Sequence, residues 1–177
     1  MVGDHRRGHF RALCWGGGRR VRERAVDSVP ARAFTSGETT TMGVEITGSY
    51  TGDLKMELRH GPSGVQLRTA APRDNLGDGS SFSPTDLLAA ALGSCMVSTM
   101  AIVAKRSGIP FEGASFSLEK HMTQAPPRRV DAVPVTIRLP AALTPEQRET
   151  LEHAARTCPV ERSLSPEVRR EVTFVYE

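Results

Sequence analysis

Ser83-Pro84-Thr85-Asp86 opens a long apolar stretch, Leu87 to Val103, that carries no charge. Its opening is a strong helix start: a Ser whose hydroxyl can cap free N–H groups, Pro in the first helical position, and an acid in the first turn. Gly108 and Pro110 set the stop, so the spacing predicts a helix from Ser83 to about Ser107. Leu87, Ala91, Cys95, Thr99 and Ile102 form one row, and Leu88, Leu92, Met96 and Val103 another. A helix this apolar around most of its circumference belongs in the middle of a structure. Gly93, Ser94, Ser98 and Thr99 interrupt the run, and no membrane span is expected.

The remaining patterns are built around this helix. Residues 44–50, 54–60 and 64–70 read as short strands, separated by the turn chemistry of Gly52-Asp53 and Gly61-Pro62-Ser63-Gly64. A polar Gly/Pro loop runs from Ala71 to Phe82. After the helix, two long strands are expected at about 111–122 and 130–139. In the second, Val133, Val135, Ile137 and Leu139 alternate with Pro134, Thr136 and Arg138, which buries one face. Pro134 points to an edge or a bulge. Thr144-Pro145-Glu146-Gln147 starts a second helix with a capping-box Gln, expected to end at Cys158-Pro159. A last strand follows, from Glu171 to Tyr176.

Residues 1–41 have no sustained period. They hold Gly16-Gly17-Gly18, eight Arg against four acids, and a polar run from Thr35 to Thr41, and they read as a disordered extension. An Arg-rich targeting peptide, a basic arm and an over-extended start compete to explain them. The last is favoured, with Met42 the natural first residue, because a strand pattern begins at once with Gly43-Val44-Glu45-Ile46. The net charge of +3 comes from this extension, and residues 42–177 are close to neutral. That domain has no basic stripe for a nucleic-acid backbone.

Cys14, Cys95 and Cys158 are odd in number and widely spaced, which argues against a secreted disulfide framework and for a reducing, cytoplasmic setting. A free cysteine in an apolar helix is most often a small space-filling residue. Two features favour chemistry instead. Cys158 precedes Pro159 at a helix end, and Cys95 and Cys158 are the domain's only cysteines, each at a comparable place on its own helix. Attack on a peroxide needs a thiolate, which an apolar setting disfavours, so a cation must stand near Cys95. Arginine suits that task, since its charge is permanent and its fork can hold a thiolate and a peroxide oxygen together. The sulfenic acid so formed condenses with a second thiol, which stops over-oxidation. That requires the two helices to pack side by side.

Other chemistries find little support. His5, His9, His60, His121 and His153 have no metal-ligand spacing, and there is no Cys-x-x-Cys. Gly77-x-Gly79 lacks the third Gly of a dinucleotide fingerprint. His153 lies five residues before Cys158 and projects from a rather different helix face, a poor arrangement for a Cys-His hydrolase.

Phe82-Ser83-Pro84-Thr85-Asp86-Leu87-Leu88-Ala89-Ala90-Ala91-Leu92-Gly93-Ser94-Cys95 and Arg156-Thr157-Cys158-Pro159-Val160 resemble the motifs of the OsmC/Ohr-like family, the osmotically inducible and organic hydroperoxide resistance proteins. The resemblance covers roughly residues 42–177 and is nearest to the OsmC-like branch. It implies an α+β fold, with antiparallel sheets around a central Cys-bearing helix, and an intertwined homodimer with its sites at the interface. It also implies reduction of small organic hydroperoxides, with Cys95 attacking, Cys158 resolving and a dithiol such as a lipoyl group returning the electrons. No cofactor, metal, nucleic acid or membrane is implied. By the same resemblance the activating cation is Arg73, in the loop before the helix, or Arg59, in the early strands. Where peroxidase members often carry a Glu that orients this Arg, Thr85 stands here, followed by the shorter Asp86. That departure keeps two other roles in view for the same dimer: binding an apolar ligand without catalysis, and sensing redox state through the cysteine pair.

Overall fold

The computed structural model describes residues 43–177. The extension over residues 1–41, with Cys14, lies outside the described residues. An N-terminal meander comes first: β1 (Ile46–Gly52), β2 (Lys55–His60) and β3 (Gln66–Ala70), all antiparallel and in the order β1-β2-β3. The long helix α1 (Pro84–Ser107) follows. Then come β4 (Ser115–Leu118), β5 (His121–Met122), β6 (Val130–Ala132), β7 (Val135–Leu139), helices α2 (Pro145–Arg156) and α3 (Pro159–Ser163), and β8 (Val172–Tyr176).

The second sheet has the order β4-β7-β8, with β7 in the middle. Its β4–β7 edge is antiparallel, but β7 and β8 run parallel, Val135 beside Val172 through Leu139 beside Tyr176. The expectation of purely antiparallel sheet is corrected here. Two helices separate β7 from β8 along the chain, and that connection is long enough to return the strand in the same direction. The two long strands expected after α1 are each broken in two. Pro134 has no N–H to give a ladder, so the chain breaks there between β6 and β7. The first of the pair breaks at Glu119-Lys120, which lies opposite Val133-Pro134 in the register.

α1 begins and ends where the sequence places it. Ser83 accepts from the Asp86 N–H, Asp86 accepts from the Ser83 N–H, Pro84 is the first helical residue, and Gly108 closes the helix in the left-handed region at φ 66°. Ala89, Leu92, Gly93, Met96, Met100 and Ala104 are buried, one stripe at helical spacing. The stripe meets β4, α2 and α3. Gly93 permits the close approach of β4: a Cβ there would stand 2.5 Å from the Phe116 ring and 2.9 Å from Leu118. Leu92, Met96, Met100, Val135, Ile137, Leu139, Leu151, Ala155 and Cys158 form the centre of the core. The other side of α1 stays open within the chain, with Leu88 and Ile102 exposed. By length and composition alone α1 is apolar enough to cross a bilayer, a test that the core helix of a folded domain also passes.

The meander has one apolar face. Its register puts Ile46 and Tyr50 of β1, Met56 and Leu58 of β2, and Leu67 of β3 on one side, while Thr47, Ser49, Lys55, Glu57, Arg59, Gln66 and Arg68 take the other. Ile46, Tyr50 and Leu67 are nevertheless exposed, at 67%, 62% and 40%.

Candidate functional site

The two cysteines reach each other through helix packing. Cys95 lies midway along α1, half-buried, with its carbonyl accepting from the Thr99 hydroxyl at 2.8 Å. Cys158 is fully buried, and α3 carries it against α1. Both thiols are free. Cys158 does not simply end the preceding helix, as its Pro was expected to dictate. It caps α3, its Sγ accepting from the Glu161 N–H at 3.4 Å, with Pro159 as the first helical residue. Burial pushes the Cys158 thiol above its ordinary value; the Glu161 N–H pulls the other way, and the neighbouring Cys95 thiol raises it further. Cys158 is therefore a protonated, inaccessible thiol at neutral pH, and Cys95 is the one that solvent reaches.

The other expected residues lie elsewhere in the chain. Arg73 is exposed in a single helical turn (Arg73–Asn75), its Nε donating to the Asp78 carbonyl at 3.1 Å. Arg59 is exposed on the polar face of the meander, opposite Thr47 and Gln66. Among the described residues neither Arg is hydrogen-bonded to a thiol. Asp86 is at the start of α1, and both of its oxygens are engaged: Oδ2 accepts from the Ser83 N–H at 2.7 Å, and Oδ1 from Lys120. It holds the helix start rather than an arginine.

Lys120 went unrecognised in the sequence. It leaves the end of β4 and reaches the cap of α1, donating to Thr85 Oγ1 at 3.0 Å as well as to Asp86. A signal was present: Phe116 and Leu118 face α1, and period-two alternation puts Lys120 on the same side. Lys120 stands in the gap between β4 and β5, which faces the break at Val133-Pro134 in the partner strand. Burial tends to raise the Asp86 pKa, but bonds from Lys120 and from Ser83 outweigh it and hold the carboxyl below the usual Asp range. Such a group adds stability that is present above the unfolded pKa and lost as pH falls through the lower folded value. Asp86→Ala is therefore expected to cost about 2 kcal/mol at pH 7, combining a lost cap with a half-buried Lys left unpaired. The difference from wild type should shrink below about pH 4, close to the usual Asp pKa. Urea denaturation of both proteins at pH 7 and pH 3 checks this, and an equal gap at both values would exclude the ion pair as its source.

A second pair missed in the sequence adjoins the thiols. Glu161 and Arg170 are both mostly buried, with Arg170 Nε 3.0 Å from Glu161 Oε1. Arg170 also donates to the Ser165 carbonyl at 3.1 Å. The other oxygen of Glu161, Oε2, is buried and has no hydrogen-bond partner among the described residues.

Comparison with known proteins bears on this arrangement. The OsmC-like protein family matches residues 77–173, a span that contains both cysteines, Asp86 and Glu161. Among solved structures, a protein of Psychrobacter arcticus, provisionally named for osmotic stress induction and detoxification response, is 35% identical; the likeness covers 80% of this chain and 99% of that one, with a TM-score of 0.71. An organic hydroperoxide resistance protein OsmC of Legionella pneumophila is 19% identical, covering 77% of this chain and 99% of its own, with a TM-score of 0.63. One from Elizabethkingia anophelis, with thiocyanate bound, is 17% identical, covering 79% and 100%, with a TM-score of 0.64. These last two likenesses concern the fold. No curated protein matches the sequence.

Proposed function

The chain belongs to the OsmC-like protein family, and on that premise we propose that it reduces organic hydroperoxides with two thiols, Cys95 attacking and Cys158 resolving. The observation that carries this reading is the placing of the pair. An accessible thiol on α1 stands against a buried one at the start of α3, so the peroxide meets Cys95 first and the sulfenic acid meets Cys158 next. The peroxide O–O bond breaks as Cys95 takes one oxygen, and the rest leaves as the alcohol. Cys158 then displaces that oxygen as water and closes the disulfide. A dithiol of the lipoyl type would reopen it by thiol–disulfide exchange.

Cys95 needs a cation to attack as the thiolate, and Arg73 and Arg59 are the candidates. A second copy of the chain is what would bring one of them to it. The meander supports such a dimer: a three-stranded sheet with one apolar face needs a cover for that face to be stable, and Ile46, Tyr50 and Leu67 are uncovered within the chain. The open side of α1, with Leu88 and Ile102, is a second surface for the same copy and would make α1 central in the dimer.

Binding of an apolar ligand is the other reading, favoured by the commitment of Asp86 to the helix cap. The apolar cleft between β2–β3 and the start of α1, lined by Leu54, Met56, Pro72, Pro84 and Met122, holds about 250 Å³. That is below the usual size of a ligand pocket, and the peroxidase reading is preferred. One equivalent of cumene hydroperoxide added to reduced protein, followed by mass analysis, decides between them. A Cys95–Cys158 disulfide with release of the alcohol is expected. Two thiols left free would sink the peroxidase reading.

A further inference from the structure

The resolving step has an unmet chemical need. Cys158 is buried and its thiol is held protonated, yet only its thiolate can attack the sulfenic sulfur of Cys95. Something must take the proton. Among the described residues, two groups bond to or act directly on the Cys158–Glu161 pair, Cys95 on α1 and Arg170 ahead of β8, and neither can take it. Cys95 is the electrophile at this stage, and an arginine cannot accept a proton.

Glu161 is placed to meet the need. Its backbone N–H bonds Cys158 Sγ at 3.4 Å, which sets the residue itself beside the sulfur. Arg170 holds one carboxylate oxygen at 3.0 Å and is fixed in turn by the Ser165 carbonyl. The remaining oxygen is buried without a donor among the described residues. A buried acceptor left open is costly, and a fold keeps such an atom where a passing proton or a single water fills it. We propose that Glu161, anchored by Arg170, is the proton acceptor of the resolving thiol, directly or through one water.

The step rests on the two-thiol reading above, and it balances. The Cys158 proton moves to the carboxylate, and the S–S bond forms as the Cys95 S–O bond breaks. The sulfur of Cys158 is oxidised and that of Cys95 reduced. Glu161 returns the proton to the departing hydroxide, which leaves as water. The backbone N–H at Sγ steadies the thiolate as it develops.

Glu161→Gln keeps the shape and removes the base. In a stopped-flow experiment with cumene hydroperoxide, loss of the Cys95 thiolate should proceed at the wild-type rate. Closure of the disulfide should slow at least tenfold, with a sulfenic acid that dimedone traps. Raising the pH should restore the variant's closing rate, because a larger fraction of Cys158 is then ionised without a carboxylate to take its proton; a packing defect would not recover in this way. Closure unchanged in Glu161→Gln, or slowed alike at every pH, would overturn the proposal. Arg170→Gln tests the anchor with the carboxylate intact and should slow closure less than Glu161→Gln does. A second arm needs no peroxide: 5,5′-dithiobis(2-nitrobenzoate) forms a mixed disulfide at Cys95, and Cys158 then expels the second nitrothiolate. Slowing of that second phase in Glu161→Gln supports the proposal even if wild-type protein ignores peroxides, and an unaltered second phase refutes it. Failure of the peroxidase reading and failure of this one are thereby told apart.

Discussion

Replacing Cys95 by Ser is expected to reduce hydroperoxide consumption to the uncatalysed background, a loss on the order of a thousandfold or more, as for removal of a nucleophile elsewhere. A serine hydroxyl at this place has no base to ionise it and forms no stable sulfenic-type product. Cys158→Ser should behave differently. Its first turnover should run at the normal rate, because the reacting sulfur is the half-exposed one on α1. With no thiol behind it, Cys95 should stop as the sulfenic acid and then, under excess peroxide, gain a second and a third oxygen. Mass analysis in a Cys14→Ser background reads each state directly. The opposite pattern, with Cys95→Ser still active and Cys158→Ser inert, would reverse the roles. Wild-type rates in both variants would remove the thiols from the mechanism.

Much of this pair was legible in the sequence, because helix signals are local. Ser83, Pro84 and Gly108 mark both ends of α1, and the structure keeps both ends. The same local logic holds at Cys158, where α2 ends as expected and a further short helix begins. Ser83-Pro84-Thr85-Asp86, Thr144-Pro145-Glu146-Gln147 and Cys158-Pro159-Val160-Glu161 share one pattern: a capping side chain, a Pro at the first helical position, and an acceptor at the third. In the third case sulfur replaces the hydroxyl oxygen. Pro159 both follows the end of α2 and opens α3. Recognised as a cap, Cys158 would have drawn attention to Glu161 as well. Other features are long-range and leave little local trace. The parallel pairing of β7 with β8 depends on how α2 and α3 return the chain. The Glu161–Arg170 pair joins residues whose proximity follows only from that return. Lys120 lies between these extremes, since alternation placed it on the α1 side but could not name Asp86 as its partner.

On the proposed dimer, Leu67→Glu is expected to convert the protein in solution from a pair of chains to single chains. Leu67 stands opposite Leu58 on the apolar face of the meander, in the company of Ile46 and Tyr50. Full burial of one such side chain is worth about 1.5–3 kcal/mol. A carboxylate in its place forfeits that gain and must also lose several kcal/mol of hydration to enter an apolar contact. The dissociation constant should therefore rise at least about a hundredfold, the equivalent of roughly 2.7 kcal/mol. Sedimentation velocity across a dilution series measures it. Gln66→Glu is the control, because that residue lies on the polar face opposite Arg59 and should leave association intact. Wild-type protein that sediments as a single chain, or Leu67→Glu that still pairs, would show that something other than a second copy covers the face. The same variant also locates the cation. Its thiols lie far from the substitution in the sequence and should remain free and adjacent. If Arg59 or Arg73 reaches Cys95 from a second copy, peroxide consumption should fall with dilution in step with dissociation. If the Arg belongs to the same chain, the single-chain form should keep its activity.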